Sequence, residues 1–149
     1  MAYQTNNEFD NFEFTETHVD GIQVLDGIFH ILLSNVKILP ENSCNRDIRK
    51  MRCNSLELVI ENPVIEEVIR EGYKLLDADG GVKETVEDEV VSPGDYVGVW
   101  AAFSDAEVYD ITRREREYSF VVDATDERTY TVRVSGSADT ESWERFLEL

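Results

Sequence analysis

Apolar residues along this chain recur mostly at every second position, the pattern of strands with one face buried. Phe12 and Phe14, then Val19, Ile22 and Val24, lead to an Asp26-Gly27 turn and to the apolar run Ile28 to Leu33. Asp-Gly between two such runs predicts a β-hairpin, because both central residues of a type I′ turn take positive φ. Val36, Ile38 and Leu39 carry the pattern to Pro40. Proline lacks the donor that an interior ladder needs, so a strand ends or lies at a sheet edge there, and the same holds near Pro63. Ser55 to Ile60 alternates again, and in Val64 to Gly72 the β-branched content outweighs a partial helical spacing at 64, 65, 68 and 69.

Further along, Tyr73 to Leu76 and Val82 to Val86 flank Asp77-Ala78-Asp79-Gly80-Gly81, a second hairpin. Ser92, Pro93 and Asp95 predict a helix start, with a hydroxyl cap, a proline at the first helical position and an acid near the positive end of the dipole. The helix extends over about 93–102, anchored by Trp100 and Phe103. Three runs rich in Val, Ile, Thr and Tyr, Glu107 to Thr112, Tyr118 to Val122 and Thr129 to Val134, read as an antiparallel meander. Tyr109, Tyr118 and Tyr130 fall on these runs as cross-strand aromatic partners. Trp143, Phe146 and Leu147 lie at i, i+3 and i+4 behind Asp139 and Thr140, so the pattern predicts a capped C-terminal helix packed on the sheet.

The fold class expected is therefore α+β and β-rich: roughly eight to ten strands, antiparallel hairpins and a meander forming a curved sheet or partly closed barrel. One or two short helices, including the C-terminal one, complete it. Residues 1–11 are polar and read as a loose leader, with a single β-rich domain over 12–149. A chain of 149 residues, 42% of them hydrophobic, can bury a core of its own.

Charge adds the next constraint. Asp and Glu total 32 against 14 Lys and Arg, a formal net charge of −18. A field of this sign repels phosphate backbones and anionic headgroups, which argues against nucleic-acid and membrane partners. The distribution is uneven: residues 61–95 hold 11 acids and 3 bases, whereas Arg46, Arg49, Lys50 and Arg52 form a basic island just before them. Such an island offers planar, multidentate donors to an anion or to a partner's acidic loop, or pairs within the chain itself. The start of the chain has neither a basic segment nor an apolar one of secretory type, which points to a cytoplasmic protein. Cys44 and Cys53 flank the island and are expected as reduced thiols in that compartment.

Candidate chemistry is sparse. Asp77 and Asp79 open like a calcium loop, but Gly81, Val82 and Asp88 occupy the positions where the EF-hand pattern needs an oxygen ligand, glycine and glutamate. A hairpin turn accounts for the same residues, so no metal and no cofactor is expected. No phosphate-binding glycine loop, nucleophile elbow or zinc-protease motif occurs. His18 and His30 lie in the first hairpin without a nucleophile setting. The residues favour a non-enzymatic acidic module that binds a cationic protein, of immunity, inhibitor or adaptor type. Two alternatives stand beside it: a small-molecule enzyme using carboxylates in a barrel mouth, and a structural subunit of a homo-oligomer such as a homodimer.

Overall fold

A computed structural model describes residues 2–149. Its strands are β1 (Tyr3–Asn6), β2 (Phe12–Glu13), β3 (His18–Leu25), β4 (Ile28–Ser34), β5 (Val36–Ile38), β6 (Met51–Cys53), β7 (Leu56–Glu61) and β8 (Val64–Arg70). After these come β9 (Tyr73–Leu76), β10 (Val82–Val86) and β11 (Glu89–Val90). A 3-10 turn at Pro93–Asp95 leads into α1 (Tyr96–Phe103), followed by β12 (Glu107–Arg114), β13 (Glu117–Asp123), β14 (Thr129–Ser135) and β15 (Ala138–Trp143).

Ten strands form one antiparallel sheet in the order β1-β15-β7-β4-β3-β12-β13-β14-β8-β11. β2, β5 and β6 make a small second sheet, and β9 with β10 a two-stranded ribbon. The Asp26-Gly27 hairpin forms, but only Gly27 takes positive φ, at +75°, and Asp26 does not, so its turn is not of type I′; the 107–134 meander is present as β12 to β14. Residues 64–70 are a strand, in keeping with their β-branched side chains.

Bending makes one sheet serve both sides of the core. β7 runs into β8 through Asn62, at φ 49°, and Pro63; β14 runs into β15 through Gly136 and Ser137. Because β15 pairs with β7 while β14 pairs with β8, both broken strands turn the same corner side by side. Asn62 Nδ2 donates to Ser137 Oγ at 2.9 Å, and the Ser137 amide donates to the Glu61 carbonyl, also at 2.9 Å. Phe29, Phe120, Tyr130, Ile31, Leu58 and Trp143 are among the largest fully buried side chains.

Several expectations are corrected by this arrangement. The sheet does not close into a barrel, since β1 and β11 remain as edges and the join between β3 and β12 is a single residue pair. Pro63 marks the interior corner rather than an edge. No helix forms at the C-terminal end: residues 138–143 are β15, whose Asp139, Glu141 and Trp143 are buried while the residues between are half-buried. Two inward acids disguise the alternation, because a buried Asp or Glu reads as a polar position. The leader is also ordered. Tyr3–Asn6 pairs with β15 as an edge strand, and a 3-10 turn at Phe9–Asn11 buries Phe9 in the core. Of the aromatic pairs expected across the meander none forms: Tyr118 and Tyr130 are buried against aliphatic and basic cross-strand neighbours, and Tyr109 is exposed at a bulge.

Candidate functional site: a buried acid pair, a half-paired basic island and an open acidic arm

Three chemical features stand out. The first is a buried cluster on β15. Asp139 and Glu141, two residues apart on one strand, point to the same inner face. The Asp139 carboxylate accepts the Tyr118 hydroxyl at 2.5 Å and the Phe9 amide at 3.2 Å, while Glu141 Oε1 accepts the Thr5 hydroxyl at 2.8 Å. Glu141 is fully buried and its Oε2 meets no donor among the described residues.

Burial raises the Glu141 pKa well above the carboxylate range, and the hydrogen bond and negative charge of Asp139 raise it further. Burial thus favours the protonated form of Glu141, whose hydroxyl can act as a donor where its carboxylate oxygen would be orphaned. The Tyr118 hydroxyl also titrates above its ordinary range, through burial and then through its bond to Asp139. A cavity of about 200 Å³ beside the cluster is lined by Arg113, Arg116, Tyr118, Gly136 and Asp139, among others. Neither histidine lines it. Apart from the Tyr118 hydroxyl, the cluster's donors come from the N-terminal segment, so its chemistry is to fasten β1 and the following turn onto β15.

The histidines lie elsewhere. His18 Nδ1 is 2.7 Å from a Glu107 carboxylate oxygen, with Asp105 at 3.5 Å and Asp20 at 3.9 Å from Nε2. The Glu107 hydrogen bond raises the His18 pKa more than partial burial lowers it. His30 stands 3.2 Å from Glu57 in an open depression between β3 and β4.

The second feature is the basic island: Arg46, Arg49 and Lys50 lie in the loop between β5 and β6, and Arg52 lies on β6 itself. Three successive side-chain turns build that loop: Asn42 accepts the Cys44 amide, Asn45 the Asp47 amide and Asp47 the Arg49 amide. Asn45 also donates to the carbonyls of Ile38, Leu39 and Arg49. Arg49 returns its guanidinium to Asp47 at 3.0 and 3.2 Å, Lys50 pairs with Glu13 at 3.2 Å, and Arg52 Nε donates to the Glu148 carbonyl. Arg46 alone of the four has no such partner among the described residues, and it lines a groove of about 640 Å³ with Tyr3, Cys44, Ile48, Met51 and Phe146. Two of the island's four charges are therefore paired, Arg49 by Asp47 and Lys50 by Glu13 rather than by the acids of 61–95, while the Arg52 guanidinium meets a neutral backbone carbonyl. Cys44 and Cys53 are both free thiols.

The third feature is an arm. β8 and β11 begin a long hairpin inside the main sheet, and β9 and β10 continue it outside, pairing only with each other. Every residue from Tyr73 to Val90 is exposed except the half-buried Val86. At the tip, Asp77 Oδ1 accepts the amides of Asp79 and Gly81 at 2.9 and 2.8 Å, and Gly80 takes φ +84°. Asp77 thus serves the turn; Asp77 and Asp79 belong to no cluster of potential metal ligands among the described residues. Of the three features the sequence marks the island by composition and the acidic band by count. The acid pair left one trace, two acids at i and i+2 before a tryptophan, which helical capping explained equally well.

No helix among the described residues is long and apolar enough to cross a membrane. Compared with known proteins, the chain matches no family model, no curated protein and no solved structure, so its reading rests on its own residues.

Proposed function

We propose that the protein is a non-enzymatic acidic module that binds a cationic protein partner, in the manner of an inhibitor, immunity protein or adaptor. One observation carries this reading: the band over 61–95 holds 11 acids against 3 bases, and several of its carboxylates are left open. Arg49, Lys50, Arg113 and Arg133 each hold a carboxylate outside that band or at its beginning, and Arg70 holds Glu89. The carboxylates of Glu84, Glu87 and Asp95 are exposed and take part in no ion pair among the described residues. An unneutralised acidic surface steers a basic protein toward it and accelerates encounter.

Catalysis by a carboxylate pair is less well supported. Asp139 and Glu141 are buried, and three of their four oxygens already serve Thr5, Phe9 and Tyr118. Affinity capture from the source cell tests the proposal when the intact chain is compared with the triple variant Glu84→Gln/Glu87→Gln/Asp95→Asn. The expected result is a basic protein retained by the wild type and markedly less by the variant. Capture of nothing, of acidic proteins, or of the same partner to the same extent by both would overturn it.

A further inference from the structure

The arm carries more than charge. Directly paired residues of an antiparallel ribbon share a face. Tyr73 pairs with Val86 and Glu84 with Leu75, which places Tyr73, Leu75 and Val86 on one face; Val82 pairs with Leu76 on the other. Nothing covers either outer end: Leu76 is 62% and Val82 57% exposed, with Leu75 at 43%. At the root, the Gly72 amide donates to Asp88 and the Arg128 guanidinium lies over the Tyr73 ring, 5.0 Å from its centroid. Beyond that root, among the described residues, the two strands of the ribbon pair only with each other.

A lone two-stranded ribbon is marginal in water, and this one leaves Leu75 open on one face and Leu76 with Val82 open on the other. Both long edges of the ribbon also offer unpaired backbone groups to an incoming strand. Charge selects the occupant. From Gly72 to Val90 the chain has six carboxylates and two lysines. Two arms brought together would double that surplus, whereas a strand carrying lysine or arginine between apolar residues would neutralise it and bury Leu75, Leu76 and Val82.

We propose that the β9–β10 arm is the docking element for the partner, and that it takes an extended segment alternating basic and apolar side chains by adding it as a third strand. This rests on the reading of the protein as a module for cationic partners, and it assigns the site and the recognition mode.

The test uses the full chain with two synthetic probes of about ten residues, one alternating lysine with valine and one alternating lysine with glycine. The lysine–valine probe is expected to bind more tightly than the lysine–glycine probe and to protect the amides of Val82 to Val86 from hydrogen exchange. In the exposed double variant Leu76→Ser/Val82→Ser its affinity is expected to fall about tenfold, as loss of two apolar contacts implies, with the melting temperature unchanged. Equal binding of the lysine–valine probe by wild type and variant would overturn the assignment of the arm while leaving a cationic partner in place. Failure of both probes to bind at low salt would overturn the cationic-partner reading and this inference with it. A dimer of the chain alone that the double variant dissolves would assign the arm to a second copy and overturn the proposal.

Discussion

His18 and Glu107 are, among the described residues, the one register pair that joins β3 to β12, and their side chains meet at 2.7 Å across that seam. Backbone bonds flank them, from the Val19 amide to the Ala106 carbonyl and from the Val108 amide to the Thr17 carbonyl, each at 2.8 Å. The two halves of the ten-stranded sheet are thus stitched at a short seam where, among the described residues, the ion pairs of His18 with Glu107 and Asp105 depend on a proton.

The seam predicts a pH dependence of definite sign. Folding raises the His18 pKa, so the contact contributes most below the ordinary histidine value and its contribution is lost as pH rises through the raised one. Between about pH 6 and about pH 8 the melting temperature of the wild type should fall by more than that of His18→Gln. Parallel thermal melts of the two proteins check this, and identical slopes would remove His18 from the account.

The Glu141 proton predicts a second, separable dependence. A carboxyl whose pKa is raised on folding stabilises most below the ordinary glutamate range, and that contribution is lost as pH rises toward the folded value. Glu141→Gln keeps the shape and supplies a donor toward Asp139 without titrating. The variant should match the wild type at low pH and exceed it in stability at alkaline pH. Denaturant midpoints across the pH range measure the crossover.

Corner geometry gives a third expectation. A Cβ at Gly136 would run into the Ile60 side chain and come within 2.8 Å of the Glu61 carbonyl oxygen. Gly136→Ala should therefore cost about 1–3 kcal/mol, the usual penalty of overpacking. Equilibrium urea unfolding checks it, and a change inside experimental error would mean the corner relaxes freely.

The two thiols should differ sharply in reactivity. Cys53 is buried at the end of β6, and burial pushes its thiol up to about 12, whereas Cys44 is half-buried on the groove beside Arg46. A thiolate is the reacting species, so an alkylating reagent should modify Cys44 in the native protein and Cys53 only on unfolding. Mass spectrometry of the labelled chain distinguishes one adduct from two.

Much of the fold was legible because its strands follow the ordinary code. The Asp26-Gly27 hairpin, the β12–β14 meander and the helix beginning at Pro93 all have apolar residues where the core needs them and turn residues where the chain reverses. β15 was not legible, because Asp139 and Glu141 occupy positions that alternation assigns to apolar residues. β1 escaped for the same physical reason, since its one buried residue is Thr5, the partner of Glu141. One buried polar cluster thus hid both strands it joins, as expected where local preference and global structure conflict. The basic island was visible, but the pairing of two of its charges by Asp47 and Glu13 depends on loop turns and on β2, which spacing does not reveal. The arm was read as a hairpin, while its position outside the main sheet follows from pairing between distant strands.

The open acidic band is the centre of this account, and ionic strength probes it most directly. The measurement is the dissociation constant of the intact chain for its captured partner across a series of salt concentrations. An exposed acidic surface that draws a cationic partner predicts affinity falling steeply as salt rises, through a slower association rate above all. Affinity and association rate that stay flat across the series would contradict it.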